Sequence, residues 1–224
     1  MAKIHGIAGE WARVKGTVAG LWPLFFGVFA CGFSVALFFA VPLAAVTLLV
    51  ASVVWILWSL MRGLRHVERF FKGARGEEKV AAVLRSLPDA CHVFNDFAAG
   101  RAHVDHVVVG PGGVFSVETK SWRGVVTVED SHILLDGQLP DRDPLAQTLR
   151  EAALVRTALA ARGWTGDVTP VLVFASNAFA ARRAEVRGVT IVNLDELKAG
   201  FASDRVVIPT TELNRLVSLM ETVP

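Results

Sequence analysis

The chain of 224 residues is long enough for one domain of ordinary size with an appendage, and its hydrophobic fraction of 53% exceeds the ~45–50% that is typical of soluble domains. Its two cysteines exclude a disulfide framework and a cysteine-based metal site, because Cys31 lies inside an apolar segment and Cys91 in a polar one. The net charge of +2 includes +4 over residues 62–75 and −4 over residues 76–224, and the acidic balance of the larger region argues against broad, tight binding of nucleic acid by charge alone.

The first third of the chain contains a long apolar segment, in which residues 16–61 include no Asp, Glu, Lys or Arg. One crossing of the hydrocarbon core takes ~20 residues, so this segment has the length of about two crossings. It is too long for the apolar region of a cleaved signal peptide. A buried hairpin of a soluble fold is the alternative, but the rest of the chain offers no comparable apolar surface to cover it. Because Pro42 interrupts the segment, the sequence predicts two transmembrane helices, Val18–Phe39 and Leu43–Leu60.

Basic residues flank the apolar segment on both sides. Lys3, Arg13 and Lys15 precede it, and the Lys and Arg residues of positions 62–75 follow it. Cytoplasmic flanks are enriched in Lys and Arg, so both ends and the following domain are expected in the cytoplasm, as in a multi-pass membrane protein with two spans. Anionic lipid attracts the second basic segment, and the lipid bilayer is therefore a predicted partner. A contact of this segment with nucleic acid is the secondary interpretation.

From residue 73 onward, helix and strand patterns follow one another. The predicted helices are Gly73–Leu87, Pro144–Ala161 with Asp143 as its N-cap, Leu194–Ala199 and Thr211–Thr222. The predicted strands are His92–Asn95, His103–Val109, Val114–Lys120, Gly124–Val128, His132–Leu135, Val168–Phe174 and Val189–Val192. The chain is thus expected to consist of a cytoplasmic N-terminal segment (1–17), two transmembrane helices (18–60), a basic juxtamembrane linker (61–75) and an α/β domain (76–224), in which helices flank a mixed sheet.

Three charged residues lie in two neighbouring predicted strands that are otherwise apolar. Glu118 and Lys120 are two residues apart and so share one face of their strand. Asp105 lies in the preceding strand, and a hairpin that closes through Gly110–Gly113 brings it level with approximately Glu118. The sequence therefore predicts that two carboxylates and one ammonium group meet at one edge of the sheet.

This arrangement favours the hydrolysis of phosphodiester bonds. Asp105 and Glu118 are candidate ligands of Mg²⁺ or Mn²⁺, because a hard cation that keeps several waters needs few carboxylates. Lys120 is the candidate catalytic residue that orients the attacking water or stabilises the transition state. Glu77 and Gln147, which lie on the helices before and after these strands, are candidates to complete the catalytic set.

Each candidate also has a simpler interpretation. Asp105 is alternatively a solvated strand residue, and Glu118 with Lys120 is alternatively a surface ion pair of little energetic value. For Glu77 the alternative is a favourable interaction with a helix N-terminus, and for Gln147 it is plain solvent exposure.

The segment from residue 73 to about residue 161 resembles the NERD domain, the nuclease-related domain of the PD-(D/E)XK superfamily. The matching motifs are Gly-Ala-Arg-Gly-Glu-Glu with Glu77, Val-Asp-His-Val-Val-Val-Gly-Pro-Gly-Gly-Val-Phe with Asp105, Val-Glu-Thr-Lys with Glu118 and Lys120, and Asp-Pro-Leu-Ala-Gln with Gln147. Asp143 departs from the family pattern, which more often has Asn before this Pro. The resemblance implies a restriction-endonuclease-like core, a Mg²⁺ site and nucleic acid as substrate, with DNA expected over RNA. Nuclease cores of this class often pair to cut both strands, so the resemblance also allows a homodimer.

Two functions are therefore open. The first is a membrane-anchored, metal-dependent nuclease, and the second is a non-catalytic, membrane-tethered module that binds nucleic acid or protein on a nuclease-like fold. Trp122 and Arg123, two and three residues after Lys120, either stack on and clamp a nucleic-acid strand or simply pack at the end of the β-strand. His103 and His106 are interpreted as hydrogen-bonded or partly exposed residues rather than as catalytic groups.

Overall fold

The computed structural model describes residues 1–100, 102–176, 178–201 and 207–222, apart from the side chains of residues 19, 63–70 and 200. These residues form two units, one of residues 11–72 and the other of residues 1–10 together with residues 73 onward. The helices are α1 (Glu10–Leu37), α2 (Pro42–Arg85), α3 (Pro144–Ala160), α4 (Leu197–Phe201) and α5 (Thr210–Glu221). The strands are β1 (Lys3–His5), β2 (His92–Ala99), β3 (Ala102–Gly110), β4 (Gly113–Lys120), β5 (Val126–Glu129), β6 (His132–Leu135), β7 (Val168–Phe174), β8 (Arg183–Val186) and β9 (Val189–Asn193).

Two apolar helices, α1 and the first part of α2, make up the unit of residues 11–72. The stretches Glu10–Leu37 and Pro42–Arg62 are each long and apolar enough to cross a membrane, and their most apolar segments of 18 residues have mean hydropathies of 1.8 and 2.3. The chain turns between them at residues 38–41, next to the predicted break at Pro42. Gly27 permits the two helices to approach closely, because a Cβ at this position would overlap with the side chain of Ile56.

Helix α2 is longer than the sequence patterns predict. It runs for 44 residues without interruption, so the expected second span, the basic linker and the helix Gly73–Leu87 are parts of one helix. No proline occurs between Pro42 and Pro88, and nothing in that stretch forces the helix to stop. The side chains of Arg65 and Arg69, which belong to the predicted basic linker, lie outside the described residues.

Seven strands form one mixed sheet in the order β1-β2-β3-β4-β7-β9-β8. The strands β2, β3 and β4 are antiparallel neighbours, β7 is parallel to both β4 and β9, and β8 returns antiparallel to β9. The strands β5 and β6 form a separate antiparallel pair. On one face the sheet packs against α3 and α5, and on the other against α4 and the end of α2. The expected α/β class with a mixed sheet flanked by helices is thereby confirmed.

The sequence patterns did not predict the two edge strands of the described sheet. Strand β1 pairs in parallel with β2, with Lys3 opposite His92, and the Ala2 amide donates to the Arg85 carbonyl at 3.0 Å. Three residues are too few for a periodic pattern, which is why β1 was missed. Strand β8 was missed because its alternation of charged and apolar residues is equally typical of an exposed loop. The residues that precede the apolar helices are thus part of the sheet.

A buried polar chain links β3 and β2 to the N-terminal segment. The imidazole of His106 is fully buried, and its Nδ1 lies 2.8 Å from Oδ1 of Asn95, whose Nδ2 donates to the Gly6 carbonyl at 3.3 Å. Because Asn95 Oδ1 can only accept, the proton is assigned to Nδ1 of His106. Burial lowers the pKa of His106 from 6.5 to about 3, so the folded domain holds this imidazole neutral.

The acid sensitivity of the fold should depend on His106. Its pKa is about 3 in the folded domain and 6.5 in the unfolded chain, so the unfolded state takes up the proton first as the pH falls. The stabilising contribution of the neutral imidazole is therefore complete above pH ~6.5 and is lost progressively between pH ~6.5 and ~3. We expect His106→Gln, which does not titrate, to flatten the pH dependence of the urea midpoint in this window. The exposed His132→Gln is the matched control, and equal slopes for wild type and His106→Gln would contradict the assignment.

Candidate functional site

The hairpin of β3 and β4 brings two carboxylates together. Its register runs from Gly110 opposite Gly113 to His106 opposite Val117, and one further step puts Asp105 opposite Glu118. Residues that oppose each other in an antiparallel pair point to the same face of the sheet. The backbone pairing of β3 with β4 ends at His106 and Val117. Beyond this point the Thr119 amide donates to Asp105 Oδ2 at 2.8 Å, so the carboxylate accepts the hydrogen bond that a strand carbonyl would otherwise accept.

Lys120 connects β4 with the first turn of α3. Its Nζ lies 2.5 Å from Glu118 Oε1 and 2.9 Å from Gln147 Oε1, and Gln147 Nε2 donates to the same Glu118 oxygen at 2.7 Å. Gln147 is held there because Asp143 caps α3, accepting from the amides at positions 145 and 146, as the sequence predicted. The side chains of Lys120 and Glu118 are 19% and 4% exposed, so the pair is not a solvated surface ion pair.

Glu151 is a further member of this cluster that the sequence patterns did not single out. It lies one turn after Gln147 on α3, is buried, and accepts a hydrogen bond from Gln147 Nε2 at 2.9 Å. The spacing of four residues, which puts both side chains on one helix face, was the available signal. A single Glu in the middle of a helix is usually solvent-exposed, so the sequence alone does not indicate that Glu151 is buried in the cluster.

The end of α2 approaches the end of β4 at Gly76. A Cβ at this buried position would overlap with Ser121 Oγ and would lie 3.6 Å from the Cβ of Ala175, so a larger residue would push the helix away. The close approach puts Glu77 within electrostatic reach of Asp105, whose pKa it raises. The glycine therefore has a structural role in the motif, since it lets the neighbouring glutamate join the cluster.

The cluster carries more negative than positive charge. Burial raises the pKa of Asp105 well above its usual value, and the charges of Glu118 and Glu77 raise it further. Burial also raises the pKa of Glu151 to about 9, together with the charge of Glu118 and hydrogen bonding with that residue. Among the described residues of the cluster, the ammonium group of Lys120 is the only cation that acts on Glu151. Protons or a bound cation must therefore neutralise the remaining negative charge.

The donor set fits a hard divalent cation. Mg²⁺ prefers oxygen ligands, keeps several waters and needs only one or two carboxylates from the protein. Glu151 Oε2 is buried and has no hydrogen-bond partner among the described residues, so it is an acceptor that a cation or its water could satisfy. No three His, Cys, Asp or Glu side chains in the described parts of the chain are arranged to hold a metal ion by themselves. Asp105 and Glu118 thus fit a cation whose other ligands are water or substrate oxygens, rather than a cage made wholly of protein ligands.

Three residues that were considered with the cluster lie outside it. His103 Nδ1 is 3.0 Å from an oxygen of Asp96, and His106 belongs to the buried chain of the sheet, so both histidines are hydrogen-bonded as expected. Arg123 is exposed and makes no hydrogen bond or ion pair to any other described residue.

Comparison with known proteins gives one match. Residues 72–175 match the family model of NERD, the nuclease-related domain. No curated protein and no solved structure matches the chain. The matched range contains every residue of the cluster: Glu77, Asp105, Glu118, Lys120, Gln147 and Glu151. Residues 72–175 are therefore a nuclease-related domain, and the sheet that carries the cluster has a nuclease-like fold.

Proposed function

We propose that the chain is a membrane-anchored, metal-dependent nuclease that hydrolyses phosphodiester bonds of cytoplasmic nucleic acid. The observation that carries the proposal is the convergence of Asp105, Glu118 and Lys120 on two central strands, β3 and β4, in the sheet of a nuclease-related domain. Partly buried carboxyl groups that repel one another lower the stability of a fold. Their presence together is better explained by a site for a cation than by a structural role.

Each residue of the cluster has a distinct part in this proposal. Mg²⁺ or Mn²⁺, held by Asp105 and Glu118, would stabilise negative charge on the phosphate and lower the pKa of a bound water. The ammonium group of Lys120 orients the attacking water or donates a hydrogen bond to a phosphate oxygen. Gln147 is a positioning residue, because one end of its amide accepts from Lys120 and the other donates to Glu118. Glu77 adds negative charge, which favours a divalent cation.

A non-catalytic binding module is the second candidate, and one observation favours it. Glu118 Oε1 already accepts hydrogen bonds from both Lys120 and Gln147, so the protein's own donors occupy this candidate metal ligand. The acidic balance of the domain agrees with a selective contact rather than with broad coverage of nucleic acid. Such a module would bind its partner under every metal condition and would leave phosphodiester bonds intact.

Replacement of Lys120 separates the two candidates. We expect the full chain in detergent to cleave DNA or RNA with Mg²⁺ or Mn²⁺, and Lys120→Ala to lower the rate at least ~100-fold, because the group that orients water and stabilises charge is lost. The full chain is needed because β1 completes the sheet. Cleavage is measured on labelled single-stranded and duplex substrates by gel electrophoresis.

The matched control is Lys198→Ala, which removes an exposed lysine of α4 far along the chain from the cluster and should leave the rate unchanged. Circular dichroism of each variant verifies the fold. Equal cleavage by wild type and Lys120→Ala would overturn the assigned mechanism. Binding of nucleic acid with no cleavage under any divalent metal would favour the non-catalytic module.

We also infer that α1 and the first part of α2 anchor the chain in a bilayer. Only 12% and 17% of the most apolar 18-residue segments of the two helices are buried, and large side chains such as Phe29 and Leu43 are 75% and 81% exposed. An apolar surface of this extent is unfavourable in water and favourable in lipid.

The sheet supports the predicted orientation. Strand β1 precedes the apolar helices, β2 follows them, and the two strands pair directly with Lys3 opposite His92. A segment whose two ends enter one sheet must leave the membrane on the side where it entered, which requires an even number of crossings. This argument is independent of the basic flanks, which favour the cytoplasmic side for both ends.

Cysteine labelling tests this orientation. In a background of Cys31→Ser and Cys91→Ser, we expect a membrane-impermeant maleimide to label Ala40→Cys, in the turn between the helices, in intact cells. Glu212→Cys, on an exposed position of α5, should react only after the cells are permeabilised. Labelling of Glu212→Cys in intact cells, or protection of Ala40→Cys, would contradict two crossings with a cytoplasmic domain.

A further inference from the structure

A groove of about 630 Å³ adjoins the cluster of carboxylates. Lys120 and Gln147, which both contact Glu118, form part of its lining. The rest is formed by Trp122, the end of β6 and the segment of residues 138–142 that leads into α3. The groove is therefore continuous with the proposed catalytic site, and a ligand that fills it would extend to the reacting bond.

Trp122 offers the groove a fixed aromatic surface. It lies two residues after the end of β4, and its ring packs against Phe174 of the sheet with centroids 5.6 Å apart. Its carbonyl accepts a hydrogen bond from Ser176 Oγ at 2.7 Å, which holds the backbone in place. The side chain is only partly buried and lines the groove. An aromatic ring that is held in this way is the surface on which nucleic-acid bases stack, with little loss of side-chain entropy.

The rest of the groove lining combines apolar and cationic groups. Leu139 is 66% exposed and adjoins Pro140, so apolar surface is open to a ligand here. Arg142 is exposed and makes no hydrogen bond or ion pair to any other described residue, whereas Arg187 is bound to Asp143 at 2.7 Å. A guanidinium group with no protein partner is well suited to a phosphate. The acidic Asp141 also lines the groove and keeps it from being broadly basic, which makes stacking the larger source of affinity.

We propose that this groove binds an unpaired nucleotide next to the scissile phosphate, with Trp122 as the stacking surface and Arg142 as a phosphate contact. In a duplex, neighbouring bases cover the faces of each base, so only an unstacked base can lie on an aromatic ring. The volume suits a ligand of one or two nucleotides, since pockets of ~300–1,000 Å³ hold small molecules. The inference rests on the proposed nuclease function and narrows its substrate to single-stranded nucleic acid or to unpaired ends.

The test measures binding in EDTA, so that it does not depend on cleavage. Fluorescence anisotropy is followed with labelled dT12, rU12 and a 12-base-pair DNA duplex, using the full chain in detergent. We expect the tighter of the two single strands to bind at least ~10-fold more tightly than the duplex. Trp122→Leu, which keeps apolar contact with Phe174 but has no aromatic face, should weaken that binding ~10-fold, and Trp122→Phe should restore most of it.

The arginine variants provide a matched pair. Arg142→Ala should lower the slope of log affinity against log salt by about 1, whereas Arg156→Ala, which removes an exposed arginine of α3 outside the groove lining, should not. Duplex binding as tight as single-strand binding would overturn the proposal, as would unchanged affinity of both Trp122→Leu and Arg142→Ala. If cleavage depends on Lys120 but Trp122→Leu binds single strands as tightly as wild type, the proposed role of the groove is wrong and the nuclease function is retained. If binding depends on Trp122 but no divalent metal supports cleavage, the nucleotide-binding role of the groove is supported and the proposed nuclease function is wrong.

Discussion

Repulsion among carboxyl groups is the interaction on which the account of this protein depends. The charges of Glu118, Glu77 and Glu151 act on buried Asp105, and the charge of Glu118 acts on Glu151, which the ammonium group of Lys120 opposes. On a solvated surface, water and salt would screen such a group of charges. Here burial disfavours the charged forms and is the largest cause of the raised pKa values of Asp105 and Glu151, to which the neighbouring carboxylates add. The site therefore needs positive charge from protons or from a bound cation. The same need affects both the stability of the fold and the proposed chemistry.

The rest of the domain serves to hold these groups together against their repulsion. The hairpin turn fixes the register of β3 and β4, the Asp143 cap fixes the first turn of α3, and Gly76 permits the end of α2 to approach β4. Behind each element lies apolar core on one face of the sheet or the other. Because the charged groups come from separate elements that pack independently, their convergence requires the whole fold rather than any one motif.

Local signals account for the parts of this arrangement that could be predicted. Gly110–Gly113 determines the hairpin register, so the approach of Asp105 to Glu118 follows from the sequence. Glu151 could not be found in this way, since a buried Glu is recognised only when its neighbours in space are known. Strand β1 has three residues and no pattern of its own, and only its pairing with β2 defines it. The predicted roles of the cluster residues, and the boundaries proposed from composition, remain predictions.

The most direct test of the central claim is the position of a bound cation. Crystals of the full chain grown with Mn²⁺ would show the ion by its anomalous scattering. If the cluster is a metal site, we expect a peak within ~2–2.5 Å of carboxylate oxygens of both Asp105 and Glu118. No peak at this place under saturating Mn²⁺, with Lys120 still bound to Glu118, would contradict it.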